Sequence, residues 1–386
     1  MPRLRAVRME STLIPVVIVA LVSLGQISRV ASECATFPAL FNFGDSTSDT
    51  GGIQAAFPTF SQAEFAPYGM TFPGKPFLRY SDGRLGVDFL SEALGIPYLS
   101  PYFQSVGSNY TYGVNFATAG ATSQAVTYIS PFSLNVQLNQ FREFKQRVLA
   151  SNGTRNLNAL PSPSVFSRAI YYVDIGGNDF SYGYTRNMTF DQVKGYIHQV
   201  VDGIIFLVKG VYAEGGKTFI ISDVGPQGCV PYFLTNFPNL AVTYDSAGCA
   251  REFNAVTQYY NGLLRKASRL MRAAFTGTTI VYLNSYDIKY ALTLNAASYG
   301  FQYATRACCG TGGDYNYNFG VQCGESKIVN GKSVVSTTCK DPSQYLNWDG
   351  VHYTEAANRI ITRQILSGNY FDPKLPLDTL CSLNTI

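Results

Sequence analysis

Two histidines and one tryptophan stand in 386 residues, and only 14% of positions are charged. So few histidines, with no His-Glu-x-x-His and no Cys-x-x-Cys, leave too few ligands for a catalytic zinc site. No Gly-x-Gly-x-x-Gly or Walker-type loop follows a strand-like run, so neither a metal nor a nucleotide cofactor is expected. Also missing are a fixed-period repeat, a linker rich in proline or serine and a block of like charge, which argues against several domains or a repeat array. With 46% hydrophobic residues the chain has the material for a full core. Whatever chemistry it performs has to come from side chains.

The N-terminus stands apart. Arg3, Arg5 and Arg8 precede an uncharged run centred on LIPVVIVALVSL, and Val30-Ala31-Ser32 then offers small residues for cleavage, the pattern of a signal peptide over residues 1–32. Residues 33–386 are read as a single domain. The alternative is an uncleaved anchor, and with it Golgi retention. Cleavage removes four arginines and one glutamate, so the formal charge of +4 falls to +1 and no basic footprint remains for nucleic acid. No stable membrane insertion is expected after cleavage.

All eight cysteines follow residue 32 (Cys34, Cys229, Cys249, Cys308, Cys309, Cys323, Cys339 and Cys381), an even count that suits up to four disulfides in an oxidising compartment. The adjacent Cys308 and Cys309 are expected to pair elsewhere. Three sequons, at Asn109, Asn152 and Asn187, fit the same secretory route and call for surface positions.

Five apolar or β-branched runs read as strands: ALFNF at 39–43, YGVNFA at 112–117, AIYYVDI at 169–175, TFIISDV at 218–224 and TIVYLN at 279–284. Between them apolar residues recur at helical spacing, as in Leu134, Leu138, Phe141, Phe144 and Val148, or Ile197, Val201, Ile204 and Val208. Strands alternating with helices predict an α/β fold, a parallel sheet of about five strands covered on both faces. Ligands in such folds bind beyond the carboxyl ends of the strands. The first three runs exit into Gly44-Asp45-Ser46, Thr118-Ala119-Gly120 and Gly176-Gly177-Asn178-Asp179. A hydroxyl nucleophile, a glycine whose N–H can approach a ligand and an amide donor are the parts of an acyl-transfer site with an oxyanion hole. The stretch NWDGVHYTE supplies the base: Asp349, three residues before His352, can accept from its Nδ1–H and leave Nε2 facing Ser46. Thr354 reads as the N-cap of a helix that anchors this loop. His198, beside Lys194 and Asp202 on the polar flank of another helix, reads as surface.

The blocks FNFGDSTSDTG, GVNFATAGAT, DIGGNDF and NWDGVHYTEAAN, in that order from residue 41 to 358, closely resemble the plant GDSL esterase/lipase family of the SGNH hydrolase superfamily. The resemblance implies a three-layer α/β/α, flavodoxin-like fold, a Ser46, Asp349, His352 triad, and an oxyanion hole from the Ser46 and Gly120 backbone N–H groups and the Asn178 side chain. It also implies ester hydrolysis in the cell wall or apoplast. Thr47 stands where the family name has leucine, at a position that does no chemistry. No Gly-x-Ser-x-Gly surrounds Ser46, against an α/β-hydrolase elbow. The segment YSDGRLGVDFLSEALGIPYLSPYF resembles the branch with early-nodulin-like and acetylesterase-like members, which favours short acyl groups, acetyl above all, on carbohydrates or glycosylated metabolites. The expected partner is thus a small-molecule or polysaccharide ester. Alternatives are an acyltransferase with the same triad, a lipase for longer chains, and a non-catalytic carbohydrate-binding glycoprotein.

Overall fold

Parallel strands buried on both faces need apolar residues at consecutive positions, and the first run shows how the chain uses them. The computed structural model describes residues 37–59, 61–72, 78–126, 128–151 and 159–374; residues 1–32, expected to be a signal peptide, and Cys34, Cys381 and Asn152 lie outside the described residues. In β1 (Leu40–Gly44) the side chains of Phe41 and Phe43 enter one apolar cluster while Leu40 enters another. The strands β2 (Gly113–Asn115), β3 (Ile170–Asp174), β4 (Thr218–Ser222) and β5 (Thr279–Leu283) run parallel to it in the order β2-β1-β3-β4-β5. That is the flavodoxin-like order.

The expected parallel sheet of about five strands is present, with one addition. A sixth strand, β6 (Phe371–Asp372), pairs antiparallel with β5, so the sheet is mixed. Two residues are too short to produce a recognisable alternation. The second run is also shorter in the fold than in the sequence, three residues where six look strand-like.

On one face lie α2 (Leu134–Ala150), α4 (Phe190–Ala213) and α5 (Arg251–Ala274), whose apolar stripes pack on Phe41, Tyr171 and Phe219. These three rings lie in register on adjacent strands and stack, with centroids 5.3 and 5.4 Å apart. The other face is covered by α1 (Gly86–Ala93), α6 (Ser285–Leu294) and α7 (Glu355–Leu366), against Leu40, Ile170, Tyr172, Ile220 and Val281. The remaining labelled helix, α3 (Gly177–Thr185), starts directly after β3. No helix among the described residues is long and apolar enough to cross a membrane.

An irregular appendage precedes α7. Tyr345–Asn347 pairs with Tyr303–Ala307, Cys309–Gly310 pairs with Thr337–Thr338, and a hairpin of Ser326–Val329 and Lys332–Val335 projects from it. Cys308 is bonded to Cys339 and Cys309 to Cys323, so the two neighbours do pair elsewhere, while Cys229–Cys249 closes the approach to α5. Trp348 is fully buried among Tyr68, Cys308, Cys309 and Cys323. Asn109 and Asn187 are exposed, as the sequons require. His198 is exposed as well, and Nε2 lies 2.9 Å from the Tyr259 hydroxyl.

Candidate active site

The first three strands end side by side, and buried polar side chains stitch their exits together. Asp49, three residues after Ser46, accepts from the backbone N–H of Gly51 at 2.8 Å, from that of Gly52, from Ile53 at 3.2 Å and, across to the second exit, from Ala119 at 2.7 Å. Burial raises its carboxyl above the usual range, and those four bonds oppose the rise. Asn178 donates Nδ2–H to the Ala121 carbonyl at 2.9 Å, and the next residue, Asp179, accepts from Ser123 N at 2.9 Å. Gly120 adopts φ +75°, and a Cβ there would come 2.6 Å from Ile129 Cβ, so the turn that presents its N–H needs glycine. Ser46, Gly120 and Asn178 all line one cleft of about 360 Å³.

The fourth contributor comes from the appendage. Cys308 N and Cys309 N donate to the carbonyls of Asn347 and Trp348 at 2.9 and 2.7 Å, which fixes the strand leading into Asp349. The loop then closes on itself. Asp349 Oδ1 accepts from Val351 N and His352 N, both at 2.9 Å, and Trp348 N donates to the His352 carbonyl at 2.7 Å. Thr354 caps α7 as expected, its hydroxyl accepting from Ala357 N at 3.2 Å and donating to the Tyr345 carbonyl at 2.7 Å. Glu355 N donates to Asp82 Oδ1 at 2.8 Å, and Arg84 pairs with Glu355 at 2.7 Å, so the start of α7 is tied to the segment that precedes α1.

Within this frame His352 Nδ1 lies 2.7 Å from Asp349 Oδ2 and Nε2 lies 2.7 Å from Ser46 Oγ. A carboxylate only accepts, so Nδ1 bears a proton, and a neutral imidazole in this tautomer offers the Nε2 lone pair to the serine hydroxyl. Burial of Asp349 would raise its pKa, but the charge and hydrogen bonds of His352 overcome this and hold it below the usual value. Ser46 and His352 are each 9% exposed, recessed yet open to the cleft.

Tyr80, Tyr128, Tyr232 and Tyr317 wall the cleft, with the amides of Gln62, Gln227 and Gln322; no lysine or arginine lines it among the described residues. A smaller cavity of about 110 Å³ lies behind His352, bordered by Asp45, Asp174 and Lys289. Burial, and then the charge of Asp174, push Asp45 up to about 6 even though Thr47 donates to it twice.

The residues expected for the triad and the oxyanion hole, Ser46, Gly120, Asn178, Asp349 and His352, thus all line one cleft. Sequence reasoning missed Asp49, which ties two exits, and Tyr68, whose hydroxyl donates to Asp349 Oδ2 at 3.0 Å. Asp49 leaves a trace, an acidic residue just before a short helical turn; Tyr68 lies in a loop without periodicity.

The chain matches the family model of GDSL-like lipases and acylhydrolases over residues 40–365. It belongs to that family. A GDSL esterase/lipase of Arabidopsis thaliana is 42% identical over 97% of this chain and 100% of its own length. A protein named esterase from Hevea brasiliensis is 41% identical over 91% of this chain and 90% of its own, and alpha-L-fucosidase 3 of Arabidopsis thaliana is 43% identical over 88% and 93%. The protein is a carboxylic ester hydrolase of the GDSL family.

Proposed function

We propose that Ser46 is the nucleophile of this hydrolase, His352 its general base and Asp349 the group that holds the imidazole, with the ester cleaved through an acyl-enzyme. The observation behind this reading is the unbroken chain Ser46 Oγ, His352, Asp349, with both links at 2.7 Å in the wall of the 360 Å³ cleft. Ser46 Oγ attacks the ester carbon as its proton passes to His352 Nε2, the carbonyl oxygen gains charge, and the protonated imidazole returns the proton to the departing alcohol. Water then repeats the sequence on the acyl-enzyme. The Ser46 and Gly120 N–H groups and the second N–H of Asn178 are the donors for the oxyanion, worth more to the charged intermediate than to the neutral ester.

For the substrate we favour short acyl groups, acetyl first, on carbohydrate or glycosylated metabolites outside the cell. Tyrosine walls and amide side chains without cationic lining suit a neutral, hydroxyl-rich alcohol, since rings stack on sugar faces and amides pair with hydroxyls. The disulfides support the extracellular setting. Although one relative bears a glycosidase name, glycoside hydrolysis of the usual kind needs two carboxylates facing the anomeric carbon, and Asp349 is already committed to four donors. A fluorophosphonate probe should label Ser46 in the wild type and not in His352→Ala. Acetylated xylo-oligosaccharides should be turned over faster than triglycerides, with free acetate as product; acetyl transfer to added alcohols dominating over acetate release would make the enzyme a transferase.

A further inference from the structure

Asp349 Oδ2 accepts two hydrogen bonds, from His352 Nδ1 at 2.7 Å and from the Tyr68 hydroxyl at 3.0 Å. Tyr68 reaches it from the loop at residues 61–72, a part of the chain unrelated to the strand exits. Its ring packs edge-on against Trp348 and Tyr80, with centroids 5.8 and 6.2 Å away, and the residue is 4% exposed. Loop placement is fixed further by Gln62, whose amide donates to Glu325 Oε1 at 2.6 Å in the disulfide-bonded appendage. Packing against Trp348 and Tyr80 thus aims the hydroxyl at the carboxylate.

We infer that Tyr68 is a positioning residue that shares Asp349 Oδ2 with the imidazole, weakens the carboxylate's attraction for the imidazolium and so extends the enzyme's activity to lower pH. This rests on the reading of Ser46, His352 and Asp349 as the catalytic set. Charge that Asp349 places on the Tyr68 bond is withheld from His352, and the protonated ring loses more by this than the neutral ring does. Burial, followed by the Asp349 charge, keeps the phenol well above its ordinary pKa, so it remains a donor throughout the working range. Asp349 stays in place without it, because Oδ1 keeps both backbone donors. The other titratable groups facing the pair are Tyr80, Tyr317 and, from the β1 exit, Asp45, whose charge bears on His352.

Tyr68→Phe removes the hydroxyl and keeps the packing. A hydrogen bond to a charged group is worth about tenfold or more in an equilibrium, and only the part that differs between imidazole and imidazolium counts here, so proton affinity should rise roughly 3- to 10-fold. Because the chain has two histidines, proton NMR of the full mature protein shows two imidazole C2–H resonances, assigned with His198→Gln. In Tyr68→Phe the His352 midpoint should move up by about 0.5 to 1 pH unit while that of His198, exposed and distant, stays put. The acid limb of kcat/KM should move by the same amount, with plateau kcat within about threefold. Asp45 is present in both proteins, so its own titration cancels in the comparison. Tyr68→Leu, which gives up the ring too, should shift the midpoint in the same direction if Tyr68→Phe folds poorly. An unchanged or lowered His352 midpoint in either variant overturns the inference. Failure of Ser46 to label with the fluorophosphonate would instead overturn the triad, and the NMR result would stand apart from it.

Discussion

Asn178 offers the sharpest test of the third strand exit, because the proposed oxyanion role gives its amide a second task beside the bond to Ala121. One N–H of Nδ2 donates to the Ala121 carbonyl at 2.9 Å, and the other is left for the cleft. Asn178→Ala removes both. Loss of one oxyanion donor costs on the order of 10² to 10³ in kcat, about 2.7 to 4 kcal/mol at the transition state. Loss of the Ala121 bond costs stability of about 1 kcal/mol, which in a chain this long lowers Tm by about 2 °C or less. Asn178→Asp differs in a telling way: a carboxylate would face both the Ala121 carbonyl and the developing oxyanion, so turnover should fall at least as far and stability further, by about 1 to 3 kcal/mol. The assay is kcat and KM on p-nitrophenyl acetate beside a calorimetric melt of each variant. Collapsed kcat with little change in KM and a small drop in Tm is the expected result. An Asn178→Asp enzyme that keeps its turnover would refute the argument and leave Asn178 as a link between two loops.

Ser46→Ala and His352→Ala should each abolish nearly all esterase activity with Tm close to wild type, and Asp349→Asn should lower kcat by about 10⁴ through the wrong tautomer, as read from steady-state rates. Cys308–Cys339 and Cys309–Cys323 close sequence separations of 31 and 14 residues, each worth about 3 to 4 kcal/mol by loop entropy. Mild reduction should extinguish activity before the far-ultraviolet dichroism of the main sheet is lost, and simultaneous loss of both would contradict the reading that these disulfides hold the segment leading into Asp349 and not the sheet. Burial raises Asp45 to about 6 and Asp179 and Asp223 to about 7 from the ordinary 3.8. The unfolded chain releases these protons at lower pH than the fold does, so stability should decline as pH climbs from about 4 to 7. Asp349 and Asp372 act oppositely: His352 depresses the one against its burial, hydrogen bonding to Arg269 depresses the other, and their contribution is lost on acidification below the usual carboxylate range. Scanning calorimetry should thus find Tm higher at pH 5 than at pH 8, and a Tm that rises steadily to pH 8 would count against the buried carboxyls.

What could be read in the sequence and what could not divides along physical lines. Parallel strands buried on both sides must be written as apolar runs, so all five were visible, and the placement of Ser46, Gly120 and Asn178 beyond their exits followed from position alone. The edge strand Phe371–Asp372 takes its identity from pairing with β5, a long-range contact that leaves no local pattern. The segment from Tyr303 to Asn347 is irregular for the same reason, held by disulfides whose partners the spacing of cysteines does not specify. Asp349 and His352 were legible because three residues separate them. Tyr68 was not, since it stands 281 positions before the carboxylate it touches.

The order β2-β1-β3 has one more consequence. Neighbouring strands in any sheet stand about 4.8 Å apart, so the lateral spacing of the groups that follow Gly44, Asn115 and Asp174 is set by a repeat distance of the backbone itself. Loops beyond the exits, and the tyrosines they bear, can be lengthened or exchanged without altering that spacing. Change in what the cleft admits and constancy in how the ester is broken are thereby assigned to different parts of the chain, one free to drift and the other held to a ruler.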